Sequence, residues 1–393
     1  MILLDLTHTS HTGARTGVQR VAQTLWRELG PEARPICRDP YAQSWRPLAA
    51  WELAALASEG GGRDRGVRWP WSARLRGRLR RGPEVAPGTA DRAAGFLVPE
   101  IFSPAVAAAL PALFAAVPGP KAALFFDAAP LLVPELTPPR TVARYPAYLQ
   151  ELLLFDGVAA ISEDARDRLL AYWRWLGALR TPPVVAIPLG IEAPKVAPSP
   201  PSGRPLGMPV VLAVGSIEGR KNHLALLEAC EALWAQGRRF ELRLIGLARP
   251  ETAGAALRRL RELQAAGRPV RHEGFAADAA LESAYADCAF TVYPSLLEGF
   301  GLPVGESLRR GKPCVCSARG AVGESARGGG CLALEAVDTA SLAGAIGQLL
   351  SDPAALAGLS AAARARTFKT GADYAREIHD WMAGLKSGFA SSG

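Results

Sequence analysis

The stretch Tyr293-Pro294-Ser295-Leu296-Leu297-Glu298-Gly299-Phe300-Gly301-Leu302-Pro303-Val304-Gly305-Glu306 reads as the end of a buried strand, a glycine-containing turn and the opening of a helix. The apolar run Phe290–Tyr293 supplies the strand. Pro303 suits a first helical turn, where its missing N–H is harmless, and Gly311 suits the helix end. Glycines let a diphosphate or a sugar approach the backbone, and the unpaired N–H groups of a helix start favour negative charge. Glu298 precedes the turn and Glu306 lies inside the helix, so one carboxylate can face the turn while the other accepts hydrogen bonds from a ribose diol.

A second stretch repeats the pattern. Val214-Gly215-Ser216-Ile217-Glu218-Gly219-Arg220-Lys221-Asn222 again follows a strand and opens a helix. Gly215 allows close backbone approach and Ser216 offers a hydroxyl. Arg220 and Lys221 bring fixed positive charge for a diphosphate, one as a fork and one as a point charge. Asn222 is read as the N-cap of a helix over 222–236, with Leu226, Leu227, Cys230, Leu233 and Trp234 on one face and Gly237 as its stop.

Three shorter signals lie in the first half. Thr12-Gly13-Ala14-Arg15-Thr16-Gly17-Val18-Gln19-Arg20 is a third strand-to-helix turn with two glycines. Asp127, in Phe125-Phe126-Asp127-Ala128-Ala129-Pro130-Leu131, stands at the carboxyl end of an expected strand, where catalytic groups of such sheets collect; a turn-capping role before Pro130 stands beside that reading. Ser162 reads first as an N-cap, with Glu163 and Asp164 in the first helical turn. No Gly-x-Gly-x-x-Gly follows a strand and no Gly-Lys-Ser/Thr phosphate loop is present, which argues against a dehydrogenase and an ATPase.

Working outward, both halves alternate short apolar runs with helical patterns, the signature of parallel sheets covered by helices. The predicted strands are Ile2–Leu6, Ala94–Val98, Ala122–Phe126, Gly157–Ile161 and Val184–Ile187, then Val210–Val214, Glu241–Ile245, Val270–Glu273, Phe290–Tyr293 and Cys314–Ser317. The expected organisation is a first Rossmann-like α/β domain over 1–190, a Pro-rich linker over 191–209 and a second Rossmann-like domain over 210–370. A final helix starts at Gly371, within 371–388. Two such sheets make a central cleft the default site.

The chain has 393 residues, 49% hydrophobic and 21% charged, which excludes a disordered chain. No run approaches the roughly 18 uncharged residues of a membrane span. The opening Met1-Ile2-Leu3-Leu4-Asp5-Leu6 reads as a buried strand rather than a signal peptide. Six cysteines without metal-like pairs suggest reduced thiols and a cytoplasmic protein. Cys314 and Cys316 are read as pointing to opposite faces of a strand. The net charge is +8, concentrated between Arg63 and Arg81, where eight Arg accompany one acid, Asp64, together with Trp69 and Trp71. That segment suits an anionic membrane surface or an acidic acceptor, and equally a solvated loop; no nucleic-acid module accompanies it.

At these motifs the chain resembles family 4 of the retaining glycosyltransferases, with the GT-B fold, over nearly its whole length and most firmly from Gly215 to Ser317. The amino-terminal Gly13–Arg20 stretch, Phe126-Asp127 and Gly215–Asn222 resemble the mannosyltransferase-like branch of bacterial polysaccharide assembly. The resemblance implies that Arg220 and Lys221 bind the donor diphosphate, that Glu306 binds the ribose hydroxyls and that Glu298 lies near the donor sugar and phosphate. It implies that Gly299, Phe300, Gly301 and Leu302 hold the sugar and diphosphate with Gly215 and Ser216, that Gly17 belongs to a loop closing over the donor, that Asp127 faces the reacting sugar, and that the last helix crosses back onto the first domain. Phe126 replaces the His of many relatives, so no role for that His transfers. The implied reaction moves a sugar, first of all mannose from GDP-mannose and otherwise from a UDP-sugar, to a hydroxyl of a glycan or lipid-linked oligosaccharide in cell-surface polysaccharide synthesis. The chain has no Asp-x-Asp, so no metal and no other cofactor is expected, and the enzyme would be cytoplasmic or peripheral at the inner membrane face. The competing readings are a nucleotide-sugar epimerase or hydrolase of similar fold, and a non-catalytic protein binding anionic lipid or another polyanion.

Overall fold

The computed structural model describes residues 1–14, 16–58, 66–193 and 208–388. The chain forms two compact units. The first comprises Met1–Asp127, Arg144–Gly190 and Gly371–Gly393; the second comprises Ala128–Ala143 and Ile191–Thr370. Residues 128–143, expected in the first domain, group with the second unit instead. The packing reason is local: a Cβ on Gly219 would lie 3.0 Å from Leu136 Cδ2. Most of the expected Pro-rich linker, 194–207, lies outside the described residues.

Among the described residues the first unit holds seven strands: β1 (Ile2–Asp5), β2 (Ala33–Asp39), β3 (Ser44–Pro47), β4 (Gly95–Val98), β5 (Lys121–Phe125), β6 (Gly157–Ala160) and β7 (Val184–Ala186), in the order β3-β2-β1-β4-β5-β6-β7. All neighbours are parallel except β2 and β3. Every residue of β1, β4 and β6 is buried, as expected of strands covered on both faces. The last helix, Gly371–Gly384, belongs to this unit and packs on the helix Gly17–Leu29. Its seat is prepared by two glycines that begin strands. A Cβ on Gly95 would meet Met382 Cε at 3.3 Å, and one on Gly157 would meet Leu385 Cδ2 at 2.9 Å and the Trp381 ring at 3.0 Å.

The second unit holds β8 (Val210–Val214), β9 (Glu241–Ile245), β10 (Val270–Glu273), β11 (Phe290–Tyr293), β12 (Cys314–Ser317) and β13 (Cys331–Leu334), all parallel, in the order β10-β9-β8-β11-β12-β13. Alternate residues of β8 enter different cores. Val211 and Ala213 join Leu226, Leu227, Cys230, Leu233 and Trp234 of the helix His223–Ala235. Val210 and Leu212 join Tyr285 and Cys288 on the other face. Gly237 stops that helix with φ +81°. On β12, Cys314 and Cys316 lie in one core and Val315 in another. The expectation for the two thiols is therefore wrong, because strand residues two apart share a face. All six cysteines are free thiols. Among the described residues no single helix is long and apolar enough to cross a membrane.

Candidate active site

In the second sheet the strand order reverses between β8 and β11, and the carboxyl ends of strands at such a reversal are where open parallel sheets hold their ligands. Both glycine-containing motifs leave from these two strands. After β8, Gly215 takes φ +147°, and Gly246, at the end of the neighbouring β9, takes φ +153°. A Cβ on Gly246 would stand 1.9 Å from the Gly215 carbonyl oxygen, so only glycine lets the two strand ends lie this close. A short 3₁₀ turn over Gly219–Lys221 follows, and then Asn222 in the left-handed region at φ +57°. Asn222 holds the expected N-cap position of the helix His223–Ala235, but without the expected side-chain cap. Its side chain makes no capping bond and its Nδ2 donates to the Val337 carbonyl at 2.7 Å, tying this turn to the segment after β13.

The two motifs are joined by backbone and by charge. The Leu296 amide donates to the Arg220 carbonyl at 2.9 Å. Glu298 receives both cations: Lys221 Nζ lies 2.5 Å from its Oε1 and Arg220 Nη1 lies 2.6 Å from its Oε2. Arg220 Nη1 also donates to the Leu297 carbonyl at 3.0 Å, and Nη2 lies 3.1 Å from Glu218 Oε1. Lys221 Nζ donates to the Tyr293 hydroxyl and sits 4.8 Å from the centroid of that ring. Ser295 Oγ donates to Glu298 Oε1 at 2.5 Å. Burial alone would push the Glu298 carboxyl up, but Arg220 and then Lys221 outweigh it and hold it at about 2. Burial lowers Lys221 in spite of its carboxylate partner.

Gly301 caps the helix Leu302–Arg309 in the left-handed region at φ +95°. Pro303 is in the first turn, where its missing N–H costs nothing, as its spacing predicts. Ser325 Oγ donates to the Phe300 carbonyl at 2.6 Å and pins the turn that Gly299, Phe300 and Gly301 form. Glu306 is buried on this helix, close enough to Tyr285 to add to the burial that raises the phenol far above its ordinary value.

Arg220, Lys221, Glu298, Gly215, Ser216, the 299–302 turn and Glu306 thus all sit on the connections that leave β8 and β11. Two other predicted residues belong to the first unit. Gly17 is the exposed first residue of its helix. Asp127 follows β5, and its backbone carbonyl accepts the Tyr145 hydroxyl. Ser162 caps the helix Glu163–Trp175, its Oγ accepting the Ala165 amide at 3.0 Å, as expected. Arg15, and Arg63 to Arg65 of the basic segment, lie outside the described residues.

Sequence reasoning missed the groups that set the ion cluster. Tyr293, Ser295 and Glu218 stood inside the two motifs but were read as strand end, turn and spacer. The sequence carried no signal for them, because Tyr293 and Lys221 are 72 residues apart and meet only when the two loops do. Gly246 carried no signal, because its need arises only when β8 and β9 lie side by side. In the first unit, buried His11, Cys37 and Glu52 bring three potential metal-ligand atoms within 4.8 Å. Arg46 holds both Glu52 oxygens at 2.8 Å, so a guanidinium already occupies the cationic place in that cluster.

What the β8–β11 cluster can do chemically follows from its charges. Two cations and two carboxylates are locked together in a nearly dry place beside a helix start. The two cations are held in fixed positions by Glu298, an arrangement of donors that suits an anionic group.

Residues 208–352 match the family model of glycosyl transferases group 1. Over 107 residues the chain is 38% identical to O-antigen chain mannosyltransferase B of Escherichia coli, a match spanning 27% of this chain and only 28% of that relative. Sucrose-phosphate synthase from Thermosynechococcus elongatus superposes with a TM-score of 0.68 at 20% identity, over 97% of this chain and 98% of that one. HepE of Anabaena, solved with UDP and glucose, superposes with a TM-score of 0.67 at 16% identity, over 98% and 99%. The fold is therefore GT-B, with two parallel-sheet α/β units, and the match to the group 1 glycosyl transferase model falls within the second of them.

Proposed function

We propose that this chain is a retaining, family 4-like glycosyltransferase that moves a sugar from a nucleoside diphosphate donor to a hydroxyl acceptor. The observation that carries the reading is the ion cluster of Arg220, Lys221 and Glu298, assembled from two loops at the strand-order reversal of the matched domain. Arg220, Lys221 and the helix start at Leu302 would oppose the charge that grows on the leaving diphosphate, which is where binding energy lowers a barrier. Glu298 would keep both cations in place and meet the donor sugar, Glu306 would take the ribose hydroxyls, and Gly215, Ser216 and the 299–302 turn would line the diphosphate and sugar. Gly17 and Asp127 are assigned to the donor-closing loop and the reacting sugar. The leaving phosphate would accept the acceptor's proton, so no separate nucleophile is needed. The paired cations take the place of a divalent metal, and turnover in EDTA is the expected result.

The donor is GDP-mannose on this reading, supported by the partial likeness to a mannosyltransferase of O-antigen chains, and the acceptor is a glycan or lipid-linked oligosaccharide of a cell-surface polysaccharide. A UDP-sugar is the second reading, because HepE was solved with UDP and glucose. Thermal shift with GDP, UDP, dTDP and ADP and their sugar conjugates, in EDTA, tests it. A ligand at 100 times its dissociation constant adds about 2.7 kcal/mol of stability. A shift with one nucleotide that disappears in Glu306→Ala supports the assignment and identifies the base. No shift with any nucleotide would overturn it, and donor turnover without acceptor would favour a hydrolase or epimerase.

A further inference from the structure

The helix Trp71–Leu79 lies on the first unit with its apolar side facing outward. At about 100° per residue, Ala73 and Gly77 share one side and Trp71, Leu75 and Leu79 share the opposite one. Gly77 is buried, and a Cβ there would meet Tyr41 Cβ at 2.8 Å and the Ala42 nitrogen at 3.1 Å, so this side is pressed against the chain at 41–42. Trp71, Leu75 and Leu79 are 76%, 43% and 77% exposed. Arg74 and Arg78 flank the stripe on one side and reach over the Tyr41 ring, 6.0 and 5.7 Å from its centroid. Arg76 and Arg80 flank the other side and are exposed. A surface helix of a globular domain ordinarily turns its apolar stripe to the core and its charges to water; this one is inverted.

What holds the helix is a different aromatic residue. Trp69, two positions before Trp71, is only 7% exposed and stacks on His11 with centroids 4.0 Å apart. Arg46 lies 5.6 Å over its ring, and Arg74 Nε donates to its carbonyl at 2.9 Å. The sequence expectation that both tryptophans are interfacial is corrected here: Trp69 is the anchor and Trp71 alone is presented.

We propose that this helix docks the protein on an anionic lipid bilayer. It would lie in the interfacial plane, with Trp71, Leu75 and Leu79 entering the boundary of headgroups and acyl chains and Arg76, Arg80 and Arg81 meeting lipid phosphates. Charge selects this occupant. Residues 66–81 contain six Arg and no acid, which attracts an anionic surface. A second copy of the same face would bring those Arg-rich flanks together, because a two-fold contact pairs a patch with itself. The proposal does not rest on the transferase reading; it names the surface at which a lipid-linked acceptor would be met.

The full chain is sedimented with vesicles of phosphatidylcholine alone and of phosphatidylcholine mixed with phosphatidylglycerol, at about 0.1 M salt. The expected result is co-sedimentation with the mixed vesicles only. The combined Trp71→Ser, Leu75→Ser and Leu79→Ser variant, and separately Arg76→Glu with Arg80→Glu, should lower the bound-to-free ratio about tenfold or more with unchanged thermal unfolding. A second measurement uses one conservative change: the fluorescence difference between wild type and Trp71→Phe isolates Trp71, whose emission should move to the blue on adding mixed vesicles. Wild type that stays in the supernatant, a triple variant that binds as wild type does, a Trp71 spectrum unmoved by mixed vesicles, or a concentration-dependent dimer abolished by the triple variant would each overturn the proposal.

Discussion

Replacing Glu298 by Gln tests the ion cluster itself, before any substrate is chosen. The substitution keeps the shape and removes the one negative charge that Arg220 and Lys221 share at 2.6 and 2.5 Å. In the folded chain the Glu298 carboxyl is held at about 2, against 4.5 when unperturbed; burial opposes this, and Arg220 and Lys221 prevail. Because the folded group is the stronger acid, its stabilisation is complete above about 4.5 and is lost as the pH falls towards 2. At 1.36 kcal/mol per tenfold, that interval is worth about 3 kcal/mol. Urea unfolding followed by circular dichroism, at pH values from 2 to 7, should show the variant about 3 kcal/mol less stable near neutrality, with the two curves converging below pH 3. A variant as stable as wild type at pH 7, or a deficit of equal size at every pH, would refute the claim that the cations hold this carboxylate ionised.

Lys221→Ala should lower kcat/KM by about 10²–10³, the cost of losing one preset donor to developing charge, with the loss read in steady-state transfer assays once the donor is known. Gly246→Ala should give insoluble or strongly destabilised protein, since its Cβ would stand 1.9 Å from the Gly215 carbonyl oxygen at a φ of +153°; soluble expression and calorimetry check it. Glu100 accepts the Thr9 amide at 2.9 Å and the His8 amide at 2.5 Å; burial first, and then Asp5, push its carboxyl upward. A raised acid stabilises the fold at low pH and loses that contribution as the pH rises through its folded value, so the decline in wild-type stability from mildly acid to mildly alkaline pH should flatten in Glu100→Gln.

Ten of the thirteen strands among the described residues are legible in the sequence, most of them because they are short apolar runs buried on both faces, such as Val210–Val214. The three missed have identifiable reasons. β2, Ala33-Arg34-Pro35-Ile36-Cys37-Arg38-Asp39, carries Pro35 and three charges, and only alternate stretches of it are buried. β3 is a four-residue antiparallel edge containing Arg46 and Pro47. β13 is four residues long, half-exposed, and follows three consecutive glycines. That Arg220, Lys221 and Glu298 stand on two strand-to-helix turns could be read from the motifs; that the two cations pair with Glu298 could not. The roles of Tyr293 and Ser295 could not, because they depend on how the β8 and β11 loops meet. Nor could the opposite fates of Trp69 and Trp71: identical side chains two residues apart are distinguished only by the pocket around His11.

The helix Gly371–Gly384 completes the first unit from the far end of the chain, across Gly95 and Gly157. On the ribosome this reverses the usual order of maturation. Domains ordinarily finish from the amino end as they emerge, but here the amino-terminal sheet is synthesised first and closed last. Every residue of the second unit lies before Gly371, whereas the seam at the starts of β4 and β6 is covered by Trp381, Met382 and Leu385, which come after all of them. A released chain truncated before Gly371 would therefore carry one complete unit and one with an open apolar seam, the form a chaperone would be expected to hold.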